Sequence, residues 1–145
     1  MDYKVTMPYL GGILTDNNYK IGRTKRNTRP IVVLWMNELA EKVQALCIPP
    51  ADSYRIGIYG KFWDERRPDL ANLHKVMGDA LARGLAINDK AFLFSDLGYE
   101  LGKFEMELEI TITPLESLVK TFQAELSARV LSDDRLGRLG LKRKE

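Results

Sequence analysis

Phe104-Glu105-Met106-Glu107-Leu108-Glu109-Ile110-Thr111-Ile112-Thr113 alternates apolar and polar side chains along its whole length. Successive side chains on a strand point to opposite faces, so the stretch predicts a strand with Phe104, Met106, Leu108, Ile110 and Ile112 on one side. Glu105, Glu107, Glu109, Thr111 and Thr113 form the other side, most simply a solvated one. A half-buried strand needs apolar partners, and the chain supplies them in both directions.

Working back from this strand, Phe92 to Tyr99 reads as another, joined to it across Gly102, and Tyr54 to Phe62 as a third, with Ile56 and Ile58 on one face and Tyr59 on the other. Tyr3 to Met7 is a fourth, ended by Pro8 and the Gly11-Gly12 pair. Between the first two, Thr28 to Ala45 has helical periodicity in Ile31, Leu34, Trp35, Leu39, Val43 and Leu46, with Pro30 in its first turn and Pro49-Pro50 beyond its end. Trp35 on that stripe is expected in the core. Pro68-Asp69 starts a second helix with a stripe of Leu70, Leu73, Met77, Ala80 and Leu81, stopped at Arg83-Gly84. Forward of the strand, Pro114 opens a third helical stripe of Leu115, Leu118, Val119, Phe122, Leu126 and Val130. The predicted class is α+β, with a small mixed or antiparallel sheet of about four strands packed with two to three helices. One domain is expected over 1–131, the 114–131 helix being an addition to it, followed by a basic, disordered tail over 132–145.

The bulk properties bound function weakly. In 145 residues, 22 Lys and Arg against 20 Asp and Glu give a formal charge of only +2, so distribution carries the information. From Lys20 to Arg29 there are Lys20, Arg23, Lys25, Arg26 and Arg29 and no acid, just after the polar loop Thr15-Asp16-Asn17-Asn18-Tyr19. Amides, an aromatic and several cations suit phosphate and sugar contacts, although a solvated surface loop explains them equally. Cys47 is the single cysteine, which excludes an intrachain disulfide and a Cys-based zinc site. The start Met1-Asp2-Tyr3-Lys4 does not resemble a leader, and the longest apolar run, Ile31 to Met36, is too short to span a bilayer. A cytoplasmic protein without a membrane partner is expected.

The chemistry concentrates in Arg66-Arg67-Pro68-Asp69-Leu70-Ala71-Asn72-Leu73-His74-Lys75, answered by Asn88-Asp89-Lys90. Hydrolysing a phosphodiester requires a nucleophilic water, relief of charge on the non-bridging oxygens and a stabilised leaving oxygen. Mg²⁺ held by carboxylates serves all three, since it takes oxygen ligands and keeps several waters. Asp69 and Asp89 are the candidate metal-binding and catalytic carboxylates, and Lys75 the cation beside the transferred phosphate or the attacking water. Asn72 and Asp79 share the polar face of the helix with Lys75, and Arg66 and Arg67 would hold the flanking backbone. Each has a plainer reading: Asp69 as a helix cap, Asp89 as a turn residue, Lys75 and Asp79 as a surface pair. His74, the only histidine, is more often a packing residue than a base and cannot build a His-rich metal site alone.

These residues resemble the signature of the RusA family of Holliday junction resolvases: Asp-x-Asp-Asn-x-x-Lys, a following Asp-Ala-Leu, and a downstream Asp-Asp. Asp69 to Lys75, Asp79-Ala80-Leu81 and Asn88-Asp89 carry the likeness, and Pro8 with Asn17-Asn18-Tyr19 matches the family's opening strand and Asn-rich loop. It covers most of residues 3–113. The resemblance implies a RusA-like fold and a homodimeric endonuclease, dependent on Mg²⁺ with Mn²⁺ as a substitute, that cuts four-way DNA junctions by paired symmetric nicks; a two-fold substrate is met most simply by a two-fold dimer. Asp69 and Asp89 would be metal ligands, Lys75 the essential lysine, Asn72 and Asp79 supporting residues. Asn17, Asn18, Tyr19, Lys20, Arg23, Lys25, Arg26, Arg29, Arg66 and Arg67 would contact DNA.

One position departs from the family pattern. Its second motif aspartate corresponds to Ala71, and a methyl group binds no metal. Cleavage should fall, while DNA binding persists or strengthens with one negative charge fewer. Three explanations compete: an introduced Asp→Ala change, a naturally degenerate junction binder, or another acid, Asp79 or Asp64, recruited in its place. The intact surroundings favour the first. Outside the resolvase reading stand a non-catalytic nucleic-acid-binding protein and a small domain whose motif is only capping and surface pairing.

Overall fold

The computed structural model describes residues 1–22, 26–115 and 126–127. The chain divides into two compact units, Met1–Leu115 and Glu116–Glu145. In the second, Leu126 and Ser127 are helical and exposed; the rest of the predicted C-terminal helix and the tail lie outside the described residues.

The first unit is α+β. Strands β1 (Tyr3–Pro8), β4 (Ser53–Phe62), β5 (Phe92–Leu101) and β6 (Glu107–Leu115) form one mixed sheet in the order β1-β6-β4-β5. The alternating stretch is therefore an inner strand, antiparallel to β1 on one side and to β4 on the other, while β5 runs parallel to β4 at the edge. The strand begins later and ends later than predicted: Phe104 to Met106 belong to the turn, and Pro114 and Leu115, expected to open a helix, are its last residues. Pro114 lacks an N–H, yet its φ suits an extended strand, and the ladder to Tyr54 continues past it. Leu108, Ile110 and Ile112 are fully buried, in register with Met7, Val5 and Tyr3 on one side and with Gly60, Ile58 and Ile56 on the other. On the opposite face Glu107 and Glu109 are not simply solvated, because each places a carboxylate 3.3 Å from the Lys61 ammonium between them.

Two helices complete the core, α1 (Pro30–Ala45) and α2 (His74–Leu85). In α1 the buried face is Val32, Trp35, Met36, Leu39, Ala40 and Val43, and the Trp35 indole N–H donates to the Pro8 carbonyl at 2.7 Å, so Trp35 is a core residue. Ile31 and Leu34, placed on the stripe by spacing alone, are exposed. At about 100° per residue Leu34 lies about 140° from Leu39, outside the face the sheet selects. The second helix starts later than Pro68-Asp69: a 3₁₀ turn, Leu70–Leu73, precedes α2, and Asp69 caps that turn by accepting the Ala71 N–H at 3.2 Å. Nor does it stop at Gly84. A Cβ on Gly84 would lie 3.0 Å from the Ala40 carbonyl oxygen and 3.1 Å from Val43 Cβ, so this glycine permits close approach of the two helices. The helix ends one residue past Leu85, at Ala86, in the left-handed conformation. The basic segment contains a feature the sequence did not suggest, a two-stranded ribbon of β2 (Lys20–Ile21) and β3 (Asn27–Thr28).

Candidate functional site

The motif is laid against the edge strand β5 and follows it backwards. The Arg67 guanidinium stacks 3.6 Å from the centroid of the Tyr99 ring. Further along, His74 Nε2 is 2.8 Å from Asp96 Oδ1, and its ring stacks on Phe94 with centroids 4.4 Å apart and planes 13° apart. One helical turn later Gly78 sits beside the same Phe94 ring, and a Cβ built there would meet Phe94 Cζ at 3.6 Å and Asp89 Cβ at 3.7 Å. The Asp69–Lys75 half therefore reaches β5 through His74, and Asp89, in the 3₁₀ turn after α2, returns to the neighbourhood of Gly78 on the same helix. His74, expected to be a packing or surface residue, is the fastening between the motif and β5.

Asp69, Ala71, Asn72 and Lys75 are all exposed, forming a polar strip on the side of the motif away from Leu70, Leu73, Val76 and Met77. The strip is held from below by the N-terminal loop. The Asp16 N–H donates to the Asn72 carbonyl at 2.7 Å, and Asp16 Oδ1 accepts the Lys75 N–H at 3.2 Å. Asp16 thus caps α2 from 59 positions away, and a carboxylate not singled out by the sequence reading sits at the motif. Its only sequence signal is its type: Asp is a common cap, but caps are normally local.

Asp79 and Asp89 share an open polar cleft of about 380 Å³ with Lys20 and Arg83. Asp79 accepts the Tyr19 hydroxyl at 2.9 Å. Burial, the Asp79 hydrogen bond and the Asp79 charge together push the Tyr19 phenol up to about 12. This corrects the expected role of Tyr19. It is 4% exposed and its hydroxyl is committed to Asp79, so its ring is core and offers no platform to DNA. Asn17 and Asn18 are exposed. Arg26 donates to the Asn17 and Lys20 carbonyls at 3.0 and 2.9 Å, and Arg29 Nε to the Asn18 carbonyl at 2.5 Å, so both guanidiniums brace the loop with part of their donor set. Arg23 and Lys25 lie outside the described residues.

Beyond the strip, Arg66 forms a close pair with Asp64, Nη2 to Oδ2 at 2.8 Å, which holds the Asp64 carboxyl below the usual carboxylate range and the guanidinium above its own. Asp64 and Asp79, the acids expected to stand in for a donor at position 71, are engaged by Arg66 and by Tyr19. Asp69 and Asp89 have the hard oxygen donors that Mg²⁺ takes, but Ala71 contributes no donor atom. Among the described residues no group of three or more His, Cys, Asp or Glu side chains is arranged to hold a metal ion. No helix among them is long and apolar enough to cross a membrane.

No protein-family model matches this chain, and no curated protein matches it either.

Proposed function

We propose that the chain is a RusA-like, structure-specific DNA endonuclease fold whose substrate is a four-way junction, with cleavage impaired at Ala71. The observation that carries this reading is the placing of the motif: Asp69, Asn72 and Lys75 are exposed on one side of it, His74 fastens it to Asp96 and Phe94 of β5, and Asp89 returns beside Gly78 of α2. In a chain with aspartate at position 71, Asp69 and Asp89 would hold Mg²⁺, which lowers the pKa of a bound water and offsets charge on the scissile phosphate. Lys75 presents its ammonium at the start of α2 to a non-bridging oxygen, and Asp16 and His74 fix the backbone and the helix from which it projects. Lys20 and Arg66 neutralise phosphates on either side. A junction has two strands to cut, which calls for two copies of the chain about a two-fold axis.

A second reading, a non-catalytic junction binder, is favoured by the exposed Ala71 itself, which removes a charge that would repel DNA. One experiment separates them. The chain and its Ala71→Asp variant are incubated with Mg²⁺ and either a four-way junction or linear duplex. Cleavage of the junction by the variant alone supports the nuclease reading, and adding Lys75→Ala to that variant should abolish cutting while leaving binding nearly intact. Tight junction binding with no cleavage by either protein supports the second reading. Equal affinity for junction and duplex would sink both.

A further inference from the structure

Strand β4 delivers the chain from buried Phe62 to Trp63, whose side chain is 60% exposed, whereas Trp35 is 3% exposed. The Trp63 indole N–H donates to the Phe104 carbonyl at 2.5 Å. This bond uses the ring's only hydrogen-bond donor and fixes its orientation, so what Trp63 still offers is an aromatic face. On one side the ring borders an open, mainly apolar notch of about 470 Å³ formed with Gly102, Lys103, Phe104 and Glu105. A Cβ on Gly102 would lie 2.6 Å from the edge of the Phe104 ring, so the two pack closely beside the notch. On its other side Trp63 borders a second cleft, of about 210 Å³, lined also by Arg66 and Arg67.

We propose that the Trp63 face is a stacking platform for an unstacked nucleobase of a DNA strand, whose adjoining phosphate lies toward Arg66. The inference rests on the nucleic-acid reading above and adds a site to it. A nucleotide joins a flat apolar ring to an anion, and here an indole face stands between an apolar notch and a guanidinium that stays largely exposed beside its Asp64 partner. Lys103, at the far side of the notch, makes no ion pair among the described residues. The neighbouring Asp64, Glu65 and Glu105 balance Arg66, Arg67 and Lys103. Stacking rather than net charge is therefore the selective term, and stacking tolerates any base. Bases inside a duplex are already stacked on each other, so the platform discriminates for a strand whose bases are free, as at a branch point.

The two tryptophans make the test direct, because the exposed Trp63 answers to ligand and the buried Trp35 does so little. Titrating the chain with short oligothymidylate and with a four-way junction should quench tryptophan emission in step with binding measured by anisotropy. Trp63→Leu should weaken oligothymidylate binding by about tenfold, whereas Trp63→Phe, which keeps a ring but not the bond to Phe104, should bind nearly as the parent does. Equal losses in the two variants would assign Trp63 to that bond and overturn the proposal, as would unchanged affinity in Trp63→Leu. Concentration-dependent self-association abolished by Trp63→Leu would give the notch to a protein contact instead. DNA binding with undisturbed Trp63 emission overturns the platform alone; absence of any DNA binding overturns it together with the nucleic-acid reading.

Discussion

The loop from Thr15 to Arg29 and the connection from Trp63 to Asp69 share residue types, arginines and a single aromatic with at least one acid, and each precedes a helix. Folded, they behave as opposites. The first turns inward: Tyr19 enters the core and reaches Asp79, Asp16 caps α2, and Arg26 and Arg29 hold loop carbonyls. The second turns outward: Trp63 and Arg66 are exposed, and only Arg67 lies down, on Tyr99. One segment supports the motif and the other presents surface beside it, which composition alone does not distinguish.

The sharpest way to break this contrast is to truncate the two aromatics. Tyr19→Ala should lower the unfolding free energy in urea by about 3–5 kcal/mol, as for a buried ring, and Trp63→Ala by less than about 1 kcal/mol. Comparable losses would erase the distinction.

A narrower change tests the Tyr19 hydroxyl itself. Tyr19→Phe should cost about 1.5–3 kcal/mol, the range for a hydrogen bond to a charged group. The raised phenol also sets a sign. The folded pKa of about 12 exceeds the ordinary 10.0, so the stabilisation is fully present below 10.0 and is lost as pH rises toward 12. Melting temperatures followed across that window should fall more steeply for the parent than for Tyr19→Phe; parallel curves would detach Tyr19 from the alkaline limb.

Arg26→Ala removes two bonds to loop carbonyls and should cost about 1 kcal/mol, with faster amide exchange in β2 and β3. Unaltered exchange would make Arg26 a surface residue like Arg66. The smallest effect on stability belongs to Arg66→Ala, because its pair with Asp64 is exposed to solvent. Its signature is titration. Arg66 holds the Asp64 carboxyl low, so the pairing stabilises the fold above the ordinary carboxylate pKa and is lost as pH falls through the lowered folded value. In Arg66→Ala the Asp64 carbon resonance should titrate at higher pH.

The strands were legible because alternation and burial are nearly the same information in a sheet with one covered face; Leu108, Ile110 and Ile112 needed no tertiary knowledge. The ends were not, since Pro114 as a helix starter and Pro114 as the end of a strand differ only in whether Tyr54 is alongside. On α1, periodicity admitted Ile31 and Leu34 to the buried stripe, and only the direction from which the sheet approaches removed them.

The sequence by itself determined the α+β class and the identity of the core strands, and it put Asn72 and Lys75 on a polar side of the motif, because each follows from the fixed geometry of strand and helix; Asp79, grouped with them by helical spacing, is instead held by Tyr19. The sequence also marked Ala71 as the position without a donor. Only the tertiary structure decided that Asp16 caps α2, that His74 fastens the motif to Asp96, and that Tyr19 is core while Trp63 is exposed. Those outcomes depend on contacts between residues as far as 60 positions apart, and spacing within a segment holds no record of which distant segment will meet it.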